Sequence, residues 1–234
     1  MENQNFLPRH TIENCLHNRV KTNTSILFPV FDYSVGWGTQ WFTVSCPIGY
    51  NLLSCGNDDN TSGEDYRRSR PVSSKDCQCY DYYGMYCVAW CTTMPVPSFE
   101  IARGNAGGLF SVNCPTGKQA MGCHISTTSS RHESWRRLFP DKSGKFCTCY
   151  DYYGTDCLVT CNTLTNYEVI SAYGVGNTDV SCTDPINRVL GCGIDPDGSP
   201  WGDRSRTVRV INGNTCRCND RSGTKCFAIC GRFW

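Results

Sequence analysis

The sequence predicts an all-β, disulfide-rich chain of three tandem modules behind a short N-terminal tail. Three observations carry that prediction. Cysteine supplies 19 of the 234 residues, a density of disulfide scaffolds rather than of ordinary cores. The cysteines recur, with Cys46, Cys114 and Cys182 each 68 residues apart, and a fixed period of this size marks repeated structural units. Segments such as "WFTVSC", "CVAWC", "CLVTC" and "CFAIC" are rich in aromatic and β-branched residues in short alternation, the signature of short strands. Long helical periodicity is absent.

Residues 1–30 form the tail. Within it, "HTIENCLHN" reads as a short helix with Thr11 as N-cap and Ile12, Cys15 and Leu16 on one face. Cys15 is left over once the other cysteines pair. An odd cysteine in a secreted chain points to an intermolecular bond, here a disulfide-linked homodimer or larger homo-oligomer; a buried or capped thiol is the plain alternative. The first residues, "MENQNFLPRHTIENC", have no apolar core of a secretory signal. The simplest reading is that a signal has been removed and the protein is secreted and extracellular, since disulfides at this density need an oxidising compartment. A cytosolic chain with reduced cysteines is the rarer alternative. Asn23 and Asn60 head N-x-S/T sequons and are candidate glycosylation sites.

The modules span 31–98, 99–166 and 167–234. They open with Phe31-Asp32, Phe99-Glu100 and Tyr167-Glu168, and Val44, Val112 and Val180 stand two residues before each first cysteine. The first holds Cys46, Cys55, Cys77, Cys79, Cys87 and Cys91. The second holds Cys114, Cys123, Cys147, Cys149, Cys157 and Cys161, and the third Cys182, Cys192, Cys216, Cys218, Cys226 and Cys230. Each ends C-x-C, seven residues, C-x3-C. The "YDYYG" and "NDRSG" stretches between these pairs read as glycine-ended turns that join two strands as a hairpin. Residues two and four apart on a strand share a face, so Cys77 and Cys79 point one way and Cys87 and Cys91 return beside them, ready to meet Cys46 and Cys55. Which of the fifteen connectivities forms stays open at this point. A 68-residue module is too small for a generous core, and each bridge contributes roughly 2–4 kcal/mol.

Several function classes recede. A redox centre needs C-x-x-C, which does not occur. A zinc site wants converging pairs at C-x2-4-C, and the four histidines, His10, His17, His124 and His132, hold no repeated position, so no metal or cofactor is expected. The net charge of +1 lacks the basic excess of a nucleic-acid binder, and no apolar run has transmembrane length. Neither G-x-S-x-G nor H-E-x-x-H occurs. Carboxylate pairs, which converge only in a fold, stay open, but a non-enzymatic protein is expected.

Two groups of residues are candidates for ligand binding. The loop between the second and third cysteines repeats an aromatic beside arginine: Tyr66, Arg67 and Arg68 in "EDYRRSRP", Trp135, Arg136 and Arg137 in "ESWRRLFP", Trp201 and Arg204 in "PWGDRSR". Rings stack on sugars and Arg forks carboxylate or sulfate, and three copies would add avidity. The plain alternative has the aromatic filling the core and the arginines solvated or paired. Tyr80, Tyr82, Tyr83, Tyr150, Tyr152 and Tyr153 form the second group, offering stiff contact area, or alternatively packing between modules. "GNDDN" and "DPDG" hint at calcium but fit no EF-hand loop.

Three features together resemble a known family: openings such as "SCPIGYNLLSC" and "NCPTGKQAMGC", the stretch "SPWGDRSRTVRVINGNTCRC", and the closing hydrophobic cysteine pair. The chain resembles the resistin and resistin-like hormone head domain, and is similar to the three-module C-terminal cysteine-rich domain of the convertase that regulates the LDL receptor. The resemblance covers about 50 residues of each copy. It departs in spacing the last pair as C-x3-C, where the family has them adjacent, and in lacking the head's extra cysteines. The resemblance implies small jelly-roll-like β-sandwich modules in a pseudo-threefold arrangement, a covalent pseudo-trimer. It implies the bridges Cys55–Cys77, Cys123–Cys147 and Cys192–Cys216, with Cys46, Cys114 and Cys182 each bonded to one of the last two cysteines of its copy. An N-terminal cysteine joining assemblies belongs to it too. The function expected is a secreted, non-enzymatic recognition protein whose partner is an extracellular receptor or glycan. A structural matrix component and a lectin-like defence protein are the alternatives.

Overall fold

The computed structural model describes residues 30–58, 68–96, 99–126, 137–195 and 207–233. Among them every regular element is a strand, and no helix is long and apolar enough to cross a membrane. The first repeat supplies β1 (Phe31–Ser45), β2 (Asn51–Asp58), β3 (Arg68–Pro71) and β4 (Asp76–Thr92). The second supplies β5 (Glu100–Asn113), β6 (Gln119–Ser126), β7 (Arg137–Pro140) and β8 (Phe146–Asn162). The third supplies β9 (Thr165–Ser181), β10 (Arg188–Asp195), β11 (Thr207–Asn212) and β12 (Thr215–Arg232).

The YDYYG phrase is not the turn of a hairpin. β1 runs antiparallel along all of β4, from Phe31 opposite Thr92 to Ser45 opposite Asp76, and its register slips once, between Gly38/Met85 and Gln40/Asp81. Yet the Cα atoms of Cys79 and Cys87 lie 5.7 Å apart, whereas eight extended residues would span about 26 Å. Both strands therefore turn a corner together: the two halves of β4 pair with β1, not with each other, and the ribbon folds over on itself. β5 with β8 and β9 with β12 slip at the matching places. At the corner Gly84 has φ 108°, and a Cβ there would sit 2.6 Å from the Trp37 ring. Only glycine meets both demands. A turn signal cannot tell a hairpin from a corner because the partner strand lies some forty residues upstream.

Folding over creates two leaves per repeat. β2 pairs with the Tyr86–Thr92 half of β4, and β3 with the Cys77–Tyr80 half. The disulfides staple leaf to leaf: Cys46–Cys91, Cys55–Cys77 and Cys79–Cys87. The same pairing recurs as Cys114–Cys161, Cys123–Cys147 and Cys149–Cys157, then as Cys182–Cys230, Cys192–Cys216 and Cys218–Cys226. The sulfurs occupy the space where a larger domain would place aliphatic side chains; Cys77, Cys79, Cys87 and Cys91 are fully buried.

The expectation of three separate sandwich modules needs correction. The strands form one 12-stranded sheet that returns on itself, through β4-β2-β11-β12-β10-β7-β8-β6-β3 and back to β4. Three cyclic joins close it: Ser69 opposite Ile125, Leu138 opposite Ile194, and Val208 opposite Asn57. These are equivalent positions when the repeats are aligned on their cysteines. A side chain reinforces each join. Arg70 donates to Ser126 Oγ at 2.6 Å, Arg137 forms an ion pair with Asp195, and the Val208 N–H donates to Asn57 Oδ1 at 3.2 Å.

Two of the three cores are shared as well, while the cluster around Leu52 and Met85 draws on repeat 1 alone. Leu53 and Trp90 of the first repeat pack into the third repeat's core with Val180, Val189 and Ile194, and Trp90 Nε1 donates to the Val189 carbonyl at 2.8 Å. Leu190 and Ile229 of the third repeat pack into the second repeat's core with Val112 and Val159. The backbones approach closely, since a Cβ on Gly191 would lie 2.3 Å from the Met121 carbonyl oxygen. Repeats 2 and 3 enlarge small cores by borrowing from a neighbour, and closure removes the sheet edges that the joins cover.

Candidate functional site

The structure places few of the predicted ligand residues on a free surface. Tyr66, Arg67, Trp135, Arg136, Trp201 and Arg204 lie outside the described residues, as do Cys15, Asn23 and Asn60. Tyr82, Tyr83, Tyr152 and Tyr153 have their backbone at the folded corners, and their side chains also lie outside what is described. The two loop arginines that are described serve the fold. Arg68 opens β3, is 4% exposed, and its guanidinium lies 5.0 Å from the centre of the Tyr80 ring. Arg137 joins repeat 2 to repeat 3 through Asp195 and lies 5.7 Å from the Phe139 ring.

Two groups of potentially reactive side chains among the described residues are engaged or buried. Among the described residues Glu168, Cys182 and Cys230 converge with metal-ligand spacing, but the two sulfurs are bonded to each other and offer no thiolate. Burial pushes the Glu168 carboxyl up, yet hydrogen bonds from Thr183 and Asn187 outweigh it and hold the group below its usual range. His124 is fully buried, burial lowers its pKa to about 3, and neither ring nitrogen has a hydrogen-bond partner. It is neutral at ordinary pH and out of a substrate's reach. It stands where Gly56 and Gly193 stand in the other repeats, which lie against the neighbouring strand's backbone.

Among the described residues, a run of exposed large side chains stands on β1. Tyr33, Val35 and Trp37 alternate along the strand and so share one face, and Tyr86 stands opposite Trp37 on β4. They are 57%, 49%, 61% and 40% exposed. Equivalent positions in repeat 2 are Ile101, Arg103, Asn105 and Asp156, where Arg103 and Asn105 both bond Asp156, at 2.6 and 2.7 Å. In repeat 3 they are Val169, Ser171, Tyr173 and Lys225. One repeat thus carries an aromatic stripe where its equivalents carry an ion-pair network or a mixed face. The sequence reading missed these residues. The signal available was to compare the chemistry of the repeats residue by residue at the 68-residue period, not their cysteines alone.

No protein-family model matches this chain, and a search of curated proteins finds no match.

Proposed function

We propose that the chain is a secreted, non-enzymatic recognition protein that engages an extracellular partner through the β1 stripe of its first repeat. The observation that carries this reading is Tyr33, Val35, Trp37 and Tyr86 standing in solvent together at positions where repeat 2 is charged and paired. A contiguous apolar patch marks an interaction site, and rigid aromatics bind at low entropic cost. Nine disulfides suit an oxidising extracellular setting and hold the presenting strand stiff. A resistin-like, pseudo-threefold architecture is the frame proposed for it, with Cys15 linking two copies.

The test screens wild type and Trp37→Ala/Tyr33→Ala against a panel of extracellular receptor ectodomains, with the disulfide map and circular dichroism confirming both are folded. The reading expects at least one ectodomain whose binding weakens tenfold or more in the variant. An array on which wild type and variant behave alike would overturn it.

A further inference from the structure

Among the described residues, β1, β5 and β9 each pair along one edge only, with β4, β8 and β12 in turn. The other edge of such a strand presents a row of backbone N–H and C=O groups, and proteins guard these rows with charge. β5 carries Glu100 and Arg103, and β9 carries Glu168 and Asp179. β1 carries Asp32 alone, at its second residue. Residues 31–38, which run along β4 before its register slips, are therefore the least guarded edge of the three repeats.

The same stretch is symmetric in its chemistry. Tyr33, Val35 and Trp37 follow as aromatic, valine, aromatic on the exposed face, and Ser34, Gly36 and Gly38 alternate with them on the other. Two copies laid antiparallel about Val35 set that valine against its own mate, Tyr33 against Trp37, and Ser34 against Gly36. Aromatic pairs directly across a sheet are stabilising, and the small residues behind them leave nothing to clash. The equivalent arrangement in repeat 2 opposes two Arg103 side chains, each held by its own Asp156, and like charges directly opposite destabilise a pair. In repeat 3 it opposes two Ser171 side chains, with little to gain.

We propose that a second copy of this chain pairs with β1 along residues 31–38, antiparallel about a twofold axis through Val35, so that one sheet continues across two molecules. A twofold dimer uses one self-complementary patch, and strand addition supplies the main-chain hydrogen bonds. The axis stands perpendicular to the sheet. Opposite residues therefore keep to one face, and the two stripes merge into a single aromatic surface that stays open to a partner. Chain length agrees with this arrangement. The two Val30 residues would lie about 33 Å apart along the pair. Fifteen residues lead from Cys15 to Val30, a reach of up to about 50 Å on each side, so a Cys15–Cys15 bond can close. The dimer goes beyond the recognition reading and needs no receptor.

The test uses the oxidised full chain carrying Cys15→Ser, so that association is read without a covalent tie. Sedimentation equilibrium should show a reversible dimer. Hydrogen exchange at rising protein concentration should slow amides within residues 31–38 and leave 100–106 and 167–174 unchanged. Val35→Arg copies the repeat 2 residue onto the twofold position and should weaken the dimer tenfold or more. Ser171→Arg puts the same charge at the equivalent place on β9 and should leave the dimer unchanged. The exchange experiment needs no substitution in β1, so it decides the matter even if Val35→Arg misfolds. A monomer up to the solubility limit, a dimer that a folded Val35→Arg leaves intact, or protection gained on β5 or β9 instead would overturn the proposal. Protection of 31–38 that arises only on adding an ectodomain would also overturn it, by giving the edge to that partner. Dimerisation is read with no ectodomain present, so its failure and that of the recognition reading are separate results.

Discussion

His124 carries the clearest pH sensitivity at the level of single residues. Its ordinary pKa of 6.5 falls to about 3 in the fold because burial penalises the charged ring. Between those values the unfolded chain holds a proton that the folded chain refuses, so stability falls as pH falls, by up to about tenfold in the folding constant per unit. Above 6.5 both states are neutral and the residue contributes nothing further. Asp76, Asp179 and Asp184 are held below their ordinary range by hydrogen bonds, from Ser45, Arg217 and the Ile186 N–H first. Their contribution is present at neutral pH and is lost only as pH drops below about 4. Denaturant melts of the oxidised protein should therefore weaken already between pH 6.5 and about 4.5, and His124→Leu should flatten that interval. A decline of equal steepness in the variant would show that another group is responsible.

At the level of elements, the folded corner makes a sharper statement. Gln40, Gly108 and Gly176 occupy equivalent places opposite the corner, with φ of 56°, 77° and 73°. Only the first is not glycine, and a side chain in that region costs roughly 1–2 kcal/mol. Gln40→Gly should stabilise the protein by up to about 1 kcal/mol once glycine's added chain entropy is set against the relief. Gly108→Ala should cost about 1 kcal/mol; a Cβ at that position meets nothing within 4 Å, so the dihedral alone is tested. Urea midpoints at constant m-value would check both. The strands themselves were legible from the sequence: "CVAWC" and "CLVTC" alternate as strands do, and both lie in strands, β4 and β8. The corner was not, because Gly84 signals a reversal without saying which strand pairs across it. The joins were invisible for a related reason. Ser69, Leu138 and Val208 are unlike in chemistry, and each pairing is made by backbone across more than fifty residues.

For the whole molecule, stability follows from closure. Trp90, Leu53, Leu190 and Ile229 leave their own repeats and complete the next one, so a single repeat is missing part of its core and exposes what it should lend. Residues 167–234 expressed alone and oxidised should give scrambled disulfides and no dispersed amide spectrum; a monomeric repeat with native pairing would argue for independent modules. The repeats are not equivalent at their joins: one holds a phenylalanine stack and another an arginine tied to serine. The most direct measurement is amide hydrogen exchange of Trp90→Ala beside wild type, read peptide by peptide. Removing a buried Trp costs about 3–5 kcal/mol, and the Trp90 ring bonds the Val189 carbonyl 99 residues away. The interlocked ring predicts loss of protection in β10, Arg188–Asp195, as well as around Trp90 itself; loss confined to residues 31–96 would contradict it.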